Sequence, residues 1–235
     1  MINNFKNFIT SNFNKSADVK NTYYTELLES FDSEECVICK LLGISVLKYL
    51  ENLLHEFTMD PTSRREIREA FGYCRKHTEQ LIDVTKNTNQ RLSAAIVAED
   101  LANNFLKHSK KLFRNGIQTY TGMFKIRKSC PICKYYSKHE KMYISEFAKG
   151  TAKEEFLEKF EEKPGICIEH LIMISKSVKD RNALKRMLKP QIKEIQEIDL
   201  ELNNFIKKFD HKSNEKITDN EASAWYRLFG RINSR

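Results

Sequence analysis

Val46, Leu50, Leu53 and Phe57 recur at spacings of four, three and four, which puts them on one stripe of a helix beginning after Cys39. Asp60, Pro61, Thr62 and Ser63 break that run, and Asp60 or Thr62 suits the N-cap of a following helix that starts with Arg64 and Arg65 and ends near Gly72. A longer helix is predicted over residues 91–113, with Leu92, Ile96, Ala102, Phe105 and Leu106 facing inward. Shorter helices are expected over residues 23–28, 134–148 and 153–160. The last long one covers residues 181–209, where Leu184, Leu188, Ile195, Ile198, Leu202, Phe205 and Phe209 keep a helical period through Pro190. A short tail helix over residues 222–229 carries the only tryptophan, Trp225, as an anchor against the body of the protein.

With 7 glycines and 4 prolines in 235 residues, there are too few turn formers for a many-stranded fold. The fold class read from this pattern is all-α: a helical bundle of two tandem metal-clamped repeats with a long C-terminal helix. The repeats divide the chain into a lead-in (residues 1–30), a first repeat (31–114), a second repeat (123–210) beyond a linker near residues 115–122, and a tail with a docking helix (211–235). Residues 1–20 lack the continuous apolar stretch of a signal peptide, and charges interrupt every later run before it reaches the roughly 18–20 apolar residues of a membrane span. A soluble, cytoplasmic protein without a membrane partner is therefore expected, and in that reducing compartment cysteines serve as metal ligands or redox thiols rather than disulfides. The net charge of +8 admits nucleic acid as a partner, but Lys and Arg are interleaved with Asp and Glu along most helices, as Lys153, Lys159 and Lys163 are with Glu154, Glu155, Glu158, Glu161 and Glu162, the pattern of a solvated face.

Six cysteines and two histidines carry the chemistry. Cys36 and Cys39 precede Cys74 and His77, and Cys130 and Cys133 precede Cys167 and His170. Both sets read Cys-x-x-Cys then Cys-x-x-His, with 34 and 33 residues between the pairs, and a glycine, Gly72 or Gly165, stands two positions before the third cysteine. The segments Asn103–Lys107 and Asn203–Lys207 echo each other further on, consistent with internal duplication.

Two cysteines three apart at the start of a helix direct both sulfurs at one ion, and a Cys-x-x-His pair does the same with sulfur and nitrogen. Two such pairs complete a tetrahedron. Helix N-termini would favour the thiolates, Pro131 suits a first helical turn, and Lys40, Lys134, Arg75 and Lys76 would offset the negative charge of the sites. The reading is two structural zinc ions, each clamping one helical hairpin. Iron–sulfur clusters in a redox or sensor protein are the alternative, because clusters also take thiolate and occasionally histidine. Pairing across the repeats, with Cys36 and Cys39 meeting Cys167 and His170, is not excluded by the spacing. The roughly 12-residue separation of nucleic-acid-reading fingers is absent.

His55, His108, His139 and His211 have no partner at ligand spacing. Glu99 and Asp100 are candidates to orient a ligand histidine. No phosphate-cradling loop, nucleophile elbow or His-Glu-x-x-His stretch occurs, so no catalytic residue is nominated.

Cys130-Pro-Ile-Cys133, Gly165-x-Cys167-x-x-His170 and the run Phe205–Asp210 followed by Glu221, Trp225 and Arg227 together resemble an uncharacterised family of bacterial and archaeal proteins, the domain of unknown function 6062. The resemblance covers most of the chain and implies that the eight Cys and His positions are the functional ones. Cys36-Val-Ile-Cys39 lacks the proline common in the family. The resemblance brings no activity, and an unidentified protein is the expected partner.

Overall fold

In a computed structural model of the chain, the described residues are 22–31, 35–115 (side chains to 110), 130–163, 165–209 and 215–232. They form ten helices and no strand: α1 Thr22–Ser30, α2 Val37–His55, α3 Pro61–Glu69, α4 Arg75–Thr88, α5 Arg91–Asn115, α6 Pro131–Gly150, α7 Glu154–Glu162, α8 Ile168–Ser175, α9 Arg181–Lys208 and α10 Asp219–Ile232. The expected all-α class holds. Residues 1–21, the expected linker beyond residue 115 and His211 lie outside the described residues.

By packing, the chain falls into two compact units, Met1–Ile38 with Met142–Arg235, and Cys39–Lys141. These units cut the chain differently from the sequence repeats. The first unit is discontinuous and the second is a single internal stretch.

In the internal unit, α2 behaves as its stripe predicts at Val46, Leu50 and Leu53, which are buried with Leu54 against Ile67, Tyr73, Val84 and Val97. Phe57 is the exception. The helix stops at His55, so Phe57 falls in the turn beyond it and is exposed. Asp60 caps α3 as expected, its carboxylate accepting from the Ser63 amide at 2.7 Å, with Pro61 at the first helical position.

The face assigned to α5 is corrected. Leu92, Phe105 and Leu106 are exposed, while Val97 is buried and Ala94 and Leu101 pack on the core. Polar residues on that inner face explain the error. Asp100 accepts from Arg64 at 3.1 Å and Arg68 at 2.8 Å, and Asn104 donates to the Arg68 carbonyl at 3.0 Å. The two guanidinium hydrogen bonds outweigh burial and hold the Asp100 carboxyl below its ordinary range. These contacts fasten α3 to α5, immediately before the chain reverses through Phe71 and Gly72, both with positive φ, toward Cys74. Gly72, at φ 96°, occupies backbone space that side-chain-bearing residues rarely adopt.

The other unit is built on aromatic rings. Phe31, Phe147, Phe156 and Phe160 meet edge to face at centroid distances of 4.9–5.9 Å, the geometry favoured by ring quadrupoles. Gly150, ending α6, lies so close that a Cβ there would stand 2.7 Å from the Phe156 ring. Phe156 is fully buried and cannot swing away. Gly150→Ala is therefore expected to cost about 1–3 kcal/mol through overpacking. Urea unfolding measures this, and an unchanged midpoint would contradict the close approach.

The long helix α9 runs through Pro190 and buries Ile198 as expected, but Ala183, Met187 and Gln191 complete its inner face, whereas Leu188 and Phe209 are exposed. Charged contacts again turn the helix. Arg231 of α10 donates to Glu194, Arg227 to Glu201, and Lys208 of α9 to Glu221 at 2.8 Å. Trp225 is consequently not the anchor of α10. It remains 51 % exposed beside Tyr226 and Phe229, and the helix is held through Glu221, Ala224 and the two arginines.

Candidate metal centres

All four ligand pairs use the same local device. Cys74 and Cys167 are the N-cap residues of α4 and α8, with extended backbone, and their carbonyls accept from the amides of Thr78 and Leu171 at 2.9 Å. Cys130 does likewise for α6, its carbonyl accepting from Lys134 at 3.1 Å, and Cys36 directly precedes α2. In each motif the second ligand, Cys39, His77, Cys133 or His170, is the third helical residue. An N-cap side chain naturally turns toward that position, because the free amide there attracts it. At Cys167 the contact is direct, the His170 amide donating to Sγ at 3.4 Å.

The eight side chains gather into two groups: Cys36, Cys39, Cys167 and His170, and Cys74, His77, Cys130 and Cys133. Within each, one donor atom per residue lies within 4.8 Å of all the others. The expected grouping inside each repeat is thus corrected to the cross-repeat alternative. The four motifs nest, first with fourth and second with third. The inner group lies wholly in the internal unit, and Cys36, Cys167 and His170 belong to the other. Cys39, on the first turn of α2, follows the residue at which the division falls.

In the inner group His77 Nδ1 stands 3.1 Å from Cys74 Sγ, 3.3 Å from Cys133 Sγ and 3.5 Å from Cys130 Sγ, and Cys74 and Cys133 are 3.7 Å apart. In the outer group His170 Nδ1 stands 3.2 Å from Cys167 Sγ and 3.3 Å from Cys36 Sγ. The Val37 amide donates to the Gly165 carbonyl at 2.8 Å, joining the start of α2 to the segment before Cys167. A tetrahedral ion about 2.3 Å from sulfur and about 2.0–2.1 Å from nitrogen would hold its donors roughly 3.5–3.8 Å apart. Both groups are able to hold a metal ion with little movement. All six cysteines are free thiols.

Burial separates the two sites. Cys36, Cys167 and His170 are buried and Cys39 half-buried, whereas Cys133 of the inner group is exposed and Cys74 half-buried. The crowded donors shift one another's protonation. The Cys133 thiol is pushed up to about 12, first because its sulfur is partly shielded from water by the other donors although the residue as a whole is exposed, and then by the neighbouring Cys130 and Cys74 sulfurs. The histidines respond in opposite directions. Burial lowers His77, and Lys76 adds to this, while at His170 burial is outweighed by hydrogen bonding to Cys167 and Cys36, which raises it to about 10. A divalent cation would reverse this logic, stabilising thiolates and a neutral imidazole.

The remaining histidines stay apart from both groups among the described residues. His108 Nδ1 lies 2.7 Å from the Asn104 carbonyl, and His139 stacks near Tyr135. Asp100 is engaged by its arginines, and Glu99 is exposed.

A family model described as "Family of unknown function (DUF6062)" matches residues 19–235. The chain belongs to this family. One similar curated relative is an uncharacterised 23.9 kDa protein in the xynA 3' region of Caldicellulosiruptor sp. (strain Rt8B.4), 24 % identical over 202 residues that span 85 % of this chain and 95 % of the relative. No solved structure matches. This family member's sites are therefore defined by their own donors and distances.

Proposed function

We propose that the protein is a non-enzymatic helical scaffold, working in the reducing cytoplasm and presented to a protein partner, in which two structural zinc ions each staple distant parts of the chain. The carrying observation is the convergence of three sulfurs and one imidazole nitrogen within 4.8 Å, twice, at helix N-termini. Four closed protein donors leave no open position for substrate, which suits a structural rather than a catalytic ion. Three thiolates, a neutral imidazole and a divalent ion carry a net charge of about −1, and two helix N-termini per site, each worth about +0.5, offset it.

This compact spacing favours one ion over an iron–sulfur cluster. Cluster ligands sit on different irons and spread over the width of the cluster instead of around a single centre. The nucleic-acid alternative gains little support, because Arg64, Arg68, Arg186, Arg227 and Arg231 are all engaged by carboxylates.

The test is elemental analysis with a visible spectrum on protein purified anaerobically without added metal. About two zinc per chain and no colour are expected. Several irons per chain with a broad visible band would overturn zinc and make this a redox protein.

A further inference from the structure

The two groups have the same donors but different access to solvent, and that difference assigns them different chemistry. The geometry points to Cys133 as an oxidant-reactive site: peroxide converts the Cys133–Cys74 pair to a disulfide and opens the inner centre, while the outer centre stays closed. This rests on the structural-zinc reading above.

Three observations carry it. Cys133 is the one exposed cysteine of the six, on the first turn of α6. Cys74 Sγ, at the start of a different helix, lies 3.7 Å away, and Cys130 Sγ is a second sulfur neighbour. In the outer group Cys36 and Cys167 are 4 % and 0 % exposed and Cys39 is only half-buried, so no sulfur there is as open to an oxidant in solution as Cys133.

Thiolate is the reactive form of cysteine, and a bound divalent ion keeps sulfur deprotonated at neutral pH. The Cys133 thiolate attacks one oxygen of hydrogen peroxide and breaks the O–O bond, giving a sulfenic acid and a hydroxide that takes a proton to become water. The Cys74 thiolate then attacks Cys133 Sγ and displaces the second hydroxide, which also leaves as water after protonation. Two thiolates lose two electrons, and one peroxide with two protons becomes two waters. The sulfurs must close from 3.7 Å to about 2.05 Å, a shift within reach of two N-terminal helix residues. Cys130 and His77 then remain as only two donors, too few to retain zinc against water and competing chelators.

The disulfide would join residues 59 apart in sequence, so oxidation exchanges a metal staple for a covalent one across the same loop. Loss of zinc therefore need not unfold the internal unit.

The experiment uses the full chain after its zinc content has been measured, so absence of zinc would defeat the structural-zinc reading first and separately. Hydrogen peroxide is added in the presence of a chromogenic zinc chelator, and the disulfides are mapped by mass spectrometry without reduction. One zinc equivalent is expected in a fast phase, the second at least about ten-fold more slowly, with a Cys74–Cys133 linkage in the fast-phase product. Cys133→His, which keeps a ligand but removes the thiol, should retain two zinc and lose the fast phase. Release of both ions together, earlier release from the outer site, or a Cys130–Cys133 linkage in place of Cys74–Cys133 would overturn the assignment.

Discussion

Stripping the metal from the folded protein should lower its melting temperature by on the order of 10–20 °C, followed by circular dichroism at the helical minimum with metal removal verified by elemental analysis. The magnitude follows from what each ion joins. Zinc binding to small finger peptides is worth about 10–16 kcal/mol, but those peptides have no other core. Here Leu50, Leu53 and Ile67 in one unit, and Phe147, Phe156 and Phe160 in the other, are buried independently of any ion. A few kcal/mol per site is therefore the appropriate scale, and for a chain of this size each kcal/mol moves the midpoint by about 2–4 °C. Restoring zinc should restore the midpoint. A verified metal-free sample that melts unchanged, with full helix content, would end the structural reading.

The nested arrangement also changes which loops the ions close. Within-repeat sites would join segments about 35 residues apart. The inner group instead joins residues 53–59 apart, and the outer group Cys36 to His170, 134 apart. Closing the longer loop alone costs only about 0.8 kcal/mol more than the shorter, because closure entropy grows with the logarithm of length. A bound ion would thus tie Cys36 to Cys167 and His170 at small extra cost, and all three lie in the discontinuous unit, Met1–Ile38 with Met142–Arg235.

Much of this was legible in the residues, and what was not has a physical cause. The eight donors stand out because cysteine is rare and the two-residue spacing matches one helical turn. Their placement at helix starts follows from the N-cap preference and Pro131. The pairing was not legible, since the local spacing shows which residues form each Cys-x-x-Cys and Cys-x-x-His pair but not which pairs meet in the fold. Contacts that choose between them, such as Val37 to Gly165, are long-range backbone bonds with no signature in side-chain pattern. The inner face of α5 and part of that of α9 were misread for another reason. Hydrophobic periodicity assumes that carboxylates point to water, but Asp100, Glu194 and Glu201 point to arginines of neighbouring helices and rotate the apolar stripe with them. Trp225 was assigned as an anchor on size alone, whereas the ion pairs of Arg227 and Arg231 decide which side of α10 faces the protein.

Zinc stoichiometry in paired ligand variants should separate the nested arrangement from its rival outright. Cys36→Ser is expected to remove one of two ions, and adding Cys167→Ser should remove no more, since both belong to the outer group. Combining Cys36→Ser with Cys74→Ser should remove both. Grouping within repeats inverts these results, because Cys36 and Cys74 would then share an ion while Cys36 and Cys167 would not. Stability should follow the same logic. Cys36→Ser and Cys167→Ser share one cluster and should be far from additive, with most of the loss already present in either single variant. Cys36→Ser and Cys74→Ser act on separate clusters, so their melting-temperature losses should sum closely. The buried Cys167 should be the more damaging single change of the outer pair with Cys39, because its sulfur also caps α8 through the His170 amide. Losing that cap adds about 1 kcal/mol to the loss of the ion. Equal stoichiometry from the two double variants would be incompatible with both groupings and would mean that the sulfurs do not act as ligands of two separate ions.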